Sequence, residues 1–211
     1  MIKCVVFDFD GTLVKSNEIK RRVFYEVTED IVGAVPVLDE LFSVPDSGDR
    51  YNIFDLLIKN LKLGQEVGVS AAYLSSLYTK ICEHRISEAP EVCGAFNTLS
   101  ELKKIRVKMF VSSATPTNTL QRIIGMRGWS DLFDGIMGSP DSKEDHLRSI
   151  LFSNNYSLSE VIYIGDSEVD QKASLSIGCK FIGIGKNWRR FDVKPPVFLR
   201  NLESFIDELE L

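Results

Sequence analysis

Asp8 and Asp10 flank Phe9 directly after the apolar run Cys4-Val5-Val6-Phe7, and Gly11-Thr12 follow them. In extended chain, residues two apart point the same way, so the two carboxylates share a side and Gly11 permits a sharp turn beyond them. Carboxylates that close resist joint ionisation unless a cation holds them, which makes the pair a candidate for a hard divalent metal. Asp and Gly are also ordinary turn residues, so the pair alone leaves a solvated turn open. A second acidic pair, Asp166 and Asp170, follows the apolar run Val161-Ile162-Tyr163-Ile164 and Gly165. Four residues apart at a helix start, these two fall on neighbouring turns of one face. Complementing a helix dipole explains one such acid, not four carboxylates at strand ends.

Two further strand ends carry polar groups. Ser112-Ser113-Ala114-Thr115 closes the apolar run Val107 to Val111 and offers hydroxyls and backbone N–H groups suited to phosphate oxygens. The same residue types also cap helices. Lys143 stands near a helix start after Ser139-Pro140-Asp141-Ser142, where a lysine is ordinarily a surface residue.

Short apolar runs of this kind predict strands buried on both faces of a parallel sheet, whose carboxyl ends are where ligands bind. From Pro90 onward strand and helix alternate. Helices are expected over Ala95 to Lys104, Asn118 to Met126, from Lys143, after Asp166, and over Leu202 to Leu209. Strands are expected over 107–111, 135–137, 161–164 and 181–184, with an edge strand near Val197. This alternation predicts an α/β fold, a Rossmann-like parallel sheet core flanked by helices.

The rhythm is interrupted straight after the first strand. Ile19, Val23, Val27 and Ile31 predict a helix over 18–31, Ile53, Leu56, Leu57 and Leu61 one over 49–61 capped by Asp49, and Leu74, Leu77, Tyr78 and Ile81 one over 70–84. Pro36, Pro45 and Ser47-Gly48 read as breaks between them. The expected division is a core of residues 1–14 and 90–211 with an inserted α-helical cap domain, residues 15–89, over the strand ends. Lys20, Arg21 and Arg22 in that insert read as a solvated face beside Glu18 and Glu26.

The chain's 211 residues suffice for such a core plus insert, and 44% hydrophobic content is ordinary for a globular protein. Thirty acidic against 25 basic side chains leave a net charge of -5, which disfavours nucleic acid as partner. Cys4, Cys82, Cys93 and Cys179 lack the paired short spacing of zinc or redox motifs and read as reduced. The amino-terminal apolar run is too short and acidic for a signal peptide, and no segment reaches the roughly twenty apolar residues of a membrane span. A cytoplasmic protein without membrane association is expected.

The ordered set Asp8-Phe9-Asp10-Gly11-Thr12, Ser113, Lys143 and Gly165-Asp166 to Asp170 resembles the four motifs of the haloacid dehalogenase-like hydrolase superfamily, and the helical insert resembles its small cap. The resemblance implies a Mg²⁺-dependent phosphatase of phosphoglycolate phosphatase-like layout, acting on a small phosphorylated metabolite as a monomer or homodimer. It implies Asp8 as the nucleophile that forms an aspartyl-phosphate and Asp10 as general acid and base. Asp8, the backbone carbonyl of Asp10 and Asp166 would hold the metal, with Asp170 supporting that shell directly or through water. Ser113, Ala114 and Lys143 would hold the phosphoryl group, Ser112 and Ser113 exchanging roles if the motif slips by one residue. The acid at Asp10 favours phosphate esters over halides. A phosphomutase uses the same motifs, a non-catalytic phosphoryl-binding protein could keep them, and a receiver domain shares the residue types without the insert.

Overall fold

In the computed structural model, Cys4–Phe7 (β1) is fully buried and has a parallel neighbour on each side. The structure describes residues 1–43, 48–63 and 69–209. Pro45 and Ser47, read as breaks, lie outside the described residues. Around β1 stand β2 (Lys108–Pro116), β3 (Gly135–Ser139), β4 (Val161–Gly165), β5 (Lys180–Ile184) and β6 (Val197–Leu199), in the order β3-β2-β1-β4-β5-β6. Every pairing is parallel. The chain runs from β1 to one edge and then crosses to β4 and the other edge, so a topological switch point opens between the carboxyl ends of β1 and β4.

Two units divide the chain: Met1–Ser16 with Ser87–Leu211, and Asn17–Ile86. In the first, alternation along β1 sends Cys4 and Val6 into a cluster with Phe110, Tyr163, Leu147, Ile150 and Ala173. Phe7, on the opposite face, meets Phe205 edge to face at 6.1 Å. Each such fully buried large side chain contributes about 1.5–3 kcal/mol. The helices of this unit are α5 (Ala95–Lys104), α6 (Thr117–Met126), α7 (Lys143–Asn154) and α8 (Glu168–Ile177).

The second unit holds α1 (Asn17–Glu26), α2 (Ala34–Ser43), α3 (Arg50–Asn60) and most of α4 (Ala71–Glu88). Phe24 is its centre, with ring centroids of Phe42, Phe54 and Tyr78 at 5.2, 5.1 and 4.4 Å. Arg85 grips Glu26 through two bonds of 2.6 and 2.7 Å.

Three expectations need correction. The helix over 18–31 ends at Glu26, because the Thr28 hydroxyl bonds the carbonyls of Phe24 and Tyr25 and the backbone tightens into turns. The helix α2 was not expected, since Pro36 read as a break; Pro36 stands in its first turn, where a missing N–H removes no helical bond. Residues 202–209 form turns and a short 3-10 segment, Ile206–Glu208, rather than an α-helix. Leu202 gives its N–H to Cys93, and its carbonyl accepts the Thr98 hydroxyl and, at three-residue spacing, the Phe205 N–H, a tighter turn than an α-helix makes.

Candidate active site

Register sets the site. Phe7 stands beside Val111 on one side and Ile164 on the other, so Asp8, Ser112 and Gly165 follow level on three adjacent chain segments. The Asp8 N–H still donates to the Ile164 carbonyl at 2.8 Å, fixing the first residue beyond the strand. Gly11 then adopts φ 82°, a left-handed turn that glycine takes without strain.

Asp8, Asp166 and Asp170 are buried, and oxygens from the three lie within 4.8 Å of one another. Lys143 enters between two of them, its ammonium donating to Asp8 Oδ1 at 2.6 Å and to Asp170 Oδ1 at 2.5 Å. Lys143 is the first residue of α7, behind a Ser142–Asp145 capping box. A cation there faces the positive end of the helix dipole, so the two carboxylates, not the helix, hold it in place.

Burial pushes the Asp8 carboxyl well above the usual carboxylate range; Lys143 pulls it back, while Asp170, Asp166 and Asp10 push it further up. For Lys143, burial pulls the ammonium down, but Asp170 and Asp8 outweigh it and the net direction is up. Burial thus leads for Asp8, whereas for Lys143 the neighbouring carboxylates overcome it.

Asp170 is committed on both oxygens. Oδ1 accepts from Lys143 and from the buried Tyr163 hydroxyl at 2.8 Å, and Oδ2 accepts from the Ser167 N–H at 3.0 Å and its hydroxyl at 2.5 Å. Ser167 and Asp170 together form the capping box of α8. Gly165 makes this approach possible: a Cβ on it would stand 2.3 Å from Asp170 Cγ. Asp166 Oδ2 instead accepts from Arg190 at 2.9 Å.

The Asp10 carboxylate is outside the three-carboxylate group and is held by hydroxyls. Ser16 donates to Oδ1 at 2.6 Å, and Thr115 and Ser113 donate to Oδ2 at 3.1 and 3.3 Å. Ser113, which also accepts the Thr115 N–H at 3.0 Å, is therefore the serine turned toward Asp10. Ser112 faces the other way, its hydroxyl 2.9 Å from His146 Nδ1. A register irregularity between β2 and β3 begins at Ser112 and frees the following residues from regular pairing.

The structure thus gathers Asp8, Lys143, Asp166 and Asp170 around one point and sets Ser113 beside Asp10. Sequence reasoning missed Ser16, Tyr163, Ser167, His146 and Arg190, and read Thr115 only as one hydroxyl of a phosphate-facing run. Strand and cap patterns account for Tyr163 and Ser167 as core and cap residues and give no hint of their acidic partner. Nothing in the local sequence signals Arg190.

For a hard cation the donor set fits: three buried carboxylates supply only oxygen ligands and outnumber the two cations, Lys143 and Arg190, that touch them. Asp8 and Asp166 offer it oxygens, while Asp170 is already occupied by Lys143, Tyr163 and Ser167.

A parallel sheet with buried carboxylates gathered at its switch point indicates a class, and the comparisons agree. The model of the haloacid dehalogenase-like hydrolase family matches residues 5–184, and the chain belongs to that family. It is 25% identical over 198 residues to a phosphoglycolate phosphatase of Cereibacter sphaeroides, covering 90% of this chain and 88% of the relative. Among solved structures, CbbY of Rhodobacter sphaeroides in complex with phosphate superposes with a TM-score of 0.71 at 19% identity, over 94% of this chain and 93% of its own. The hydrolase YfnB of Bacillus subtilis, bound to magnesium, gives a TM-score of 0.74 at 17% identity, over 100% and 99%. The expected class, a phosphatase of this family, has the support of the family match and the relatives together.

Proposed function

We propose that the protein hydrolyses the phosphate ester of a small metabolite through a phosphoryl-Asp8 intermediate. The observation that carries this reading is Asp8 itself: buried, at the end of the central strand, and held by the Lys143 ammonium. An Asp8 oxygen attacks phosphorus and the ester oxygen departs. Asp10, held in place by Ser16, Ser113 and Thr115 and entering the cycle protonated, gives that oxygen its proton and, now a carboxylate, takes one from the water that hydrolyses the intermediate. Lys143 and Ser113, with the backbone N–H of Ala114, are assigned to the phosphoryl oxygens, whose charge grows toward the transition state. Mg²⁺ held by Asp8, Asp166 and the Asp10 carbonyl would supply further neutralisation of that charge.

Phosphoglycolate is the first substrate to try, on the strength of the Cereibacter relative. The helical unit Asn17–Ile86 is assigned as the cap that selects the substrate, and the cytoplasm as its compartment. The test is Mg²⁺-dependent phosphate release from phosphoglycolate, a panel of other phosphorylated metabolites and an aryl phosphate, by wild type and Asp8→Asn. Release that disappears in the variant supports the reading. Undiminished release by Asp8→Asn overturns the nucleophile, and no release from any ester by Mg²⁺-bound protein overturns hydrolysis in favour of a mutase or a binding role.

A further inference from the structure

The three clustered carboxylates are shared between two cations of different character. Lys143 serves Asp8 and Asp170, and its side chain is only 11% exposed. Arg190 serves Asp166 alone through Oδ2 at 2.9 Å, and its side chain is 47% exposed. It projects from a short 3-10 turn, Trp188–Arg190, in the connection between β5 and β6. Lys143 is thus enclosed and engaged twice, whereas Arg190 is engaged once and opens to solvent.

We propose that Arg190 is the occupant that a divalent cation must displace from Asp166, and that it thereby sets the metal affinity of the site. This inference rests on the metal reading given above. A metal ion shared by Asp8 and Asp166 would stand close to the guanidinium that bonds Asp166 Oδ2, and the two positive charges repel at such separation. Without metal, the guanidinium balances a carboxylate whose burial would otherwise be costly. With metal, that balance passes to the ion, and the long, half-exposed arginine swings into water at little expense. Lys143 has no such freedom.

Removing the arginine should therefore tighten metal binding. A partly exposed ion pair of this kind corresponds to about a twofold to fivefold change in an equilibrium constant. The experiment is calorimetric titration of Mg²⁺ into wild type, Arg190→Gln and Arg189→Gln, with melting temperatures measured with and without Mg²⁺. Arg189 is an exposed neighbour on the same turn and controls for loss of surface charge. The expected result is a dissociation constant about twofold to fivefold lower in Arg190→Gln, unchanged in Arg189→Gln, with the gap narrowing in high salt. The melting temperature of Arg190→Gln should fall below wild type without Mg²⁺ and approach it with Mg²⁺.

Equal or weaker Mg²⁺ binding by Arg190→Gln overturns the inference, because Arg190 would then be indifferent to the ion or orient Asp166 for it. A melting temperature lowered equally with and without Mg²⁺ overturns it too, since Arg190 would merely brace the turn. Absence of Mg²⁺ binding by wild type and variants alike overturns the metal reading as well, so the two failures are distinguishable.

Discussion

Gly165→Ala is the sharpest probe of how the site is built, because the perturbation is one methyl group. The added Cβ would stand 2.3 Å from both Cβ and Cγ of Asp170 and 2.6 Å from its Oδ2. The backbone at Gly165 is not left-handed, so alanine meets no conformational strain and gains about 0.4–1 kcal/mol from a less flexible unfolded chain. Against this, forcing a methyl into close-packed surroundings costs about 1–3 kcal/mol. Asp170 cannot yield freely, being short and tied to Lys143, Tyr163 and Ser167. The balance is a destabilisation of about 1–2 kcal/mol, or a melting temperature lower by about 2–8 °C for a chain of this size. The larger effect is on turnover. Displacing Asp170 moves Lys143, and a misplacement of about 1 Å in a positioning group lowers rate on the order of a hundredfold. Calorimetric melting and phosphate release on one preparation read both quantities. A folded Gly165→Ala with wild-type turnover would refute the account, since Asp170 and Lys143 would have moved without consequence.

Mg²⁺ at about a hundred times its dissociation constant should stabilise the protein by about 2.7 kcal/mol, seen as a rise of about 5–10 °C in melting temperature. Asp8→Asn should abolish phosphate release yet melt higher than wild type in chelator, because it removes a carboxylate whose ionisation burial and three neighbouring acids oppose. Burial holds His146 below its ordinary range and therefore neutral in the fold. The unfolded histidine gains a proton below about pH 6.5, so stability should fall as pH drops through that value toward the depressed folded one. His146→Gln should flatten this segment of the melting temperature against pH curve. Of the four thiols, exposed Cys93 should react first with a disulfide reagent in the native protein, though the Glu203 carboxylate it bonds pushes it up and slows it, whereas Cys4 is buried and pushed up to about 12.

The sheet was legible because its strands are buried on both faces and read as uninterrupted apolar runs, and residues just past such runs must stand at the carboxyl edge. That put Asp8 and Asp166 directly past the ends of β1 and β4; Ser113 came from the family motif and lies inside β2, which runs on to Pro116 beyond the expected end at Val111. Less legible was whatever depends on contact between distant segments. Tyr163 and Ile162 are alike in a pattern of apolar residues, and only the position of α8 gives the Tyr163 hydroxyl an acidic partner. Thr115 and Ser16 are separated by nearly a hundred residues yet hold one carboxylate. In the helical unit, Pro36 concealed α2 because a proline's meaning depends on its place within the turn, which periodicity does not reveal.

The chain leaves and re-enters the sheet unit at one spot. Val14 pairs with Glu91, Lys15 donates to the Pro90 carbonyl at 2.9 Å, and Val92 donates to that of Leu13 at 2.9 Å. A seam of backbone bonds thus closes the outgoing and returning segments before the excursion begins. Everything from Asn17 to Ile86 hangs from this seam as a cassette, attached at two points already stitched together. Such a junction tolerates replacement of its cargo: a short Gly-Ser loop between Ser16 and Ser87 would have little distance to span.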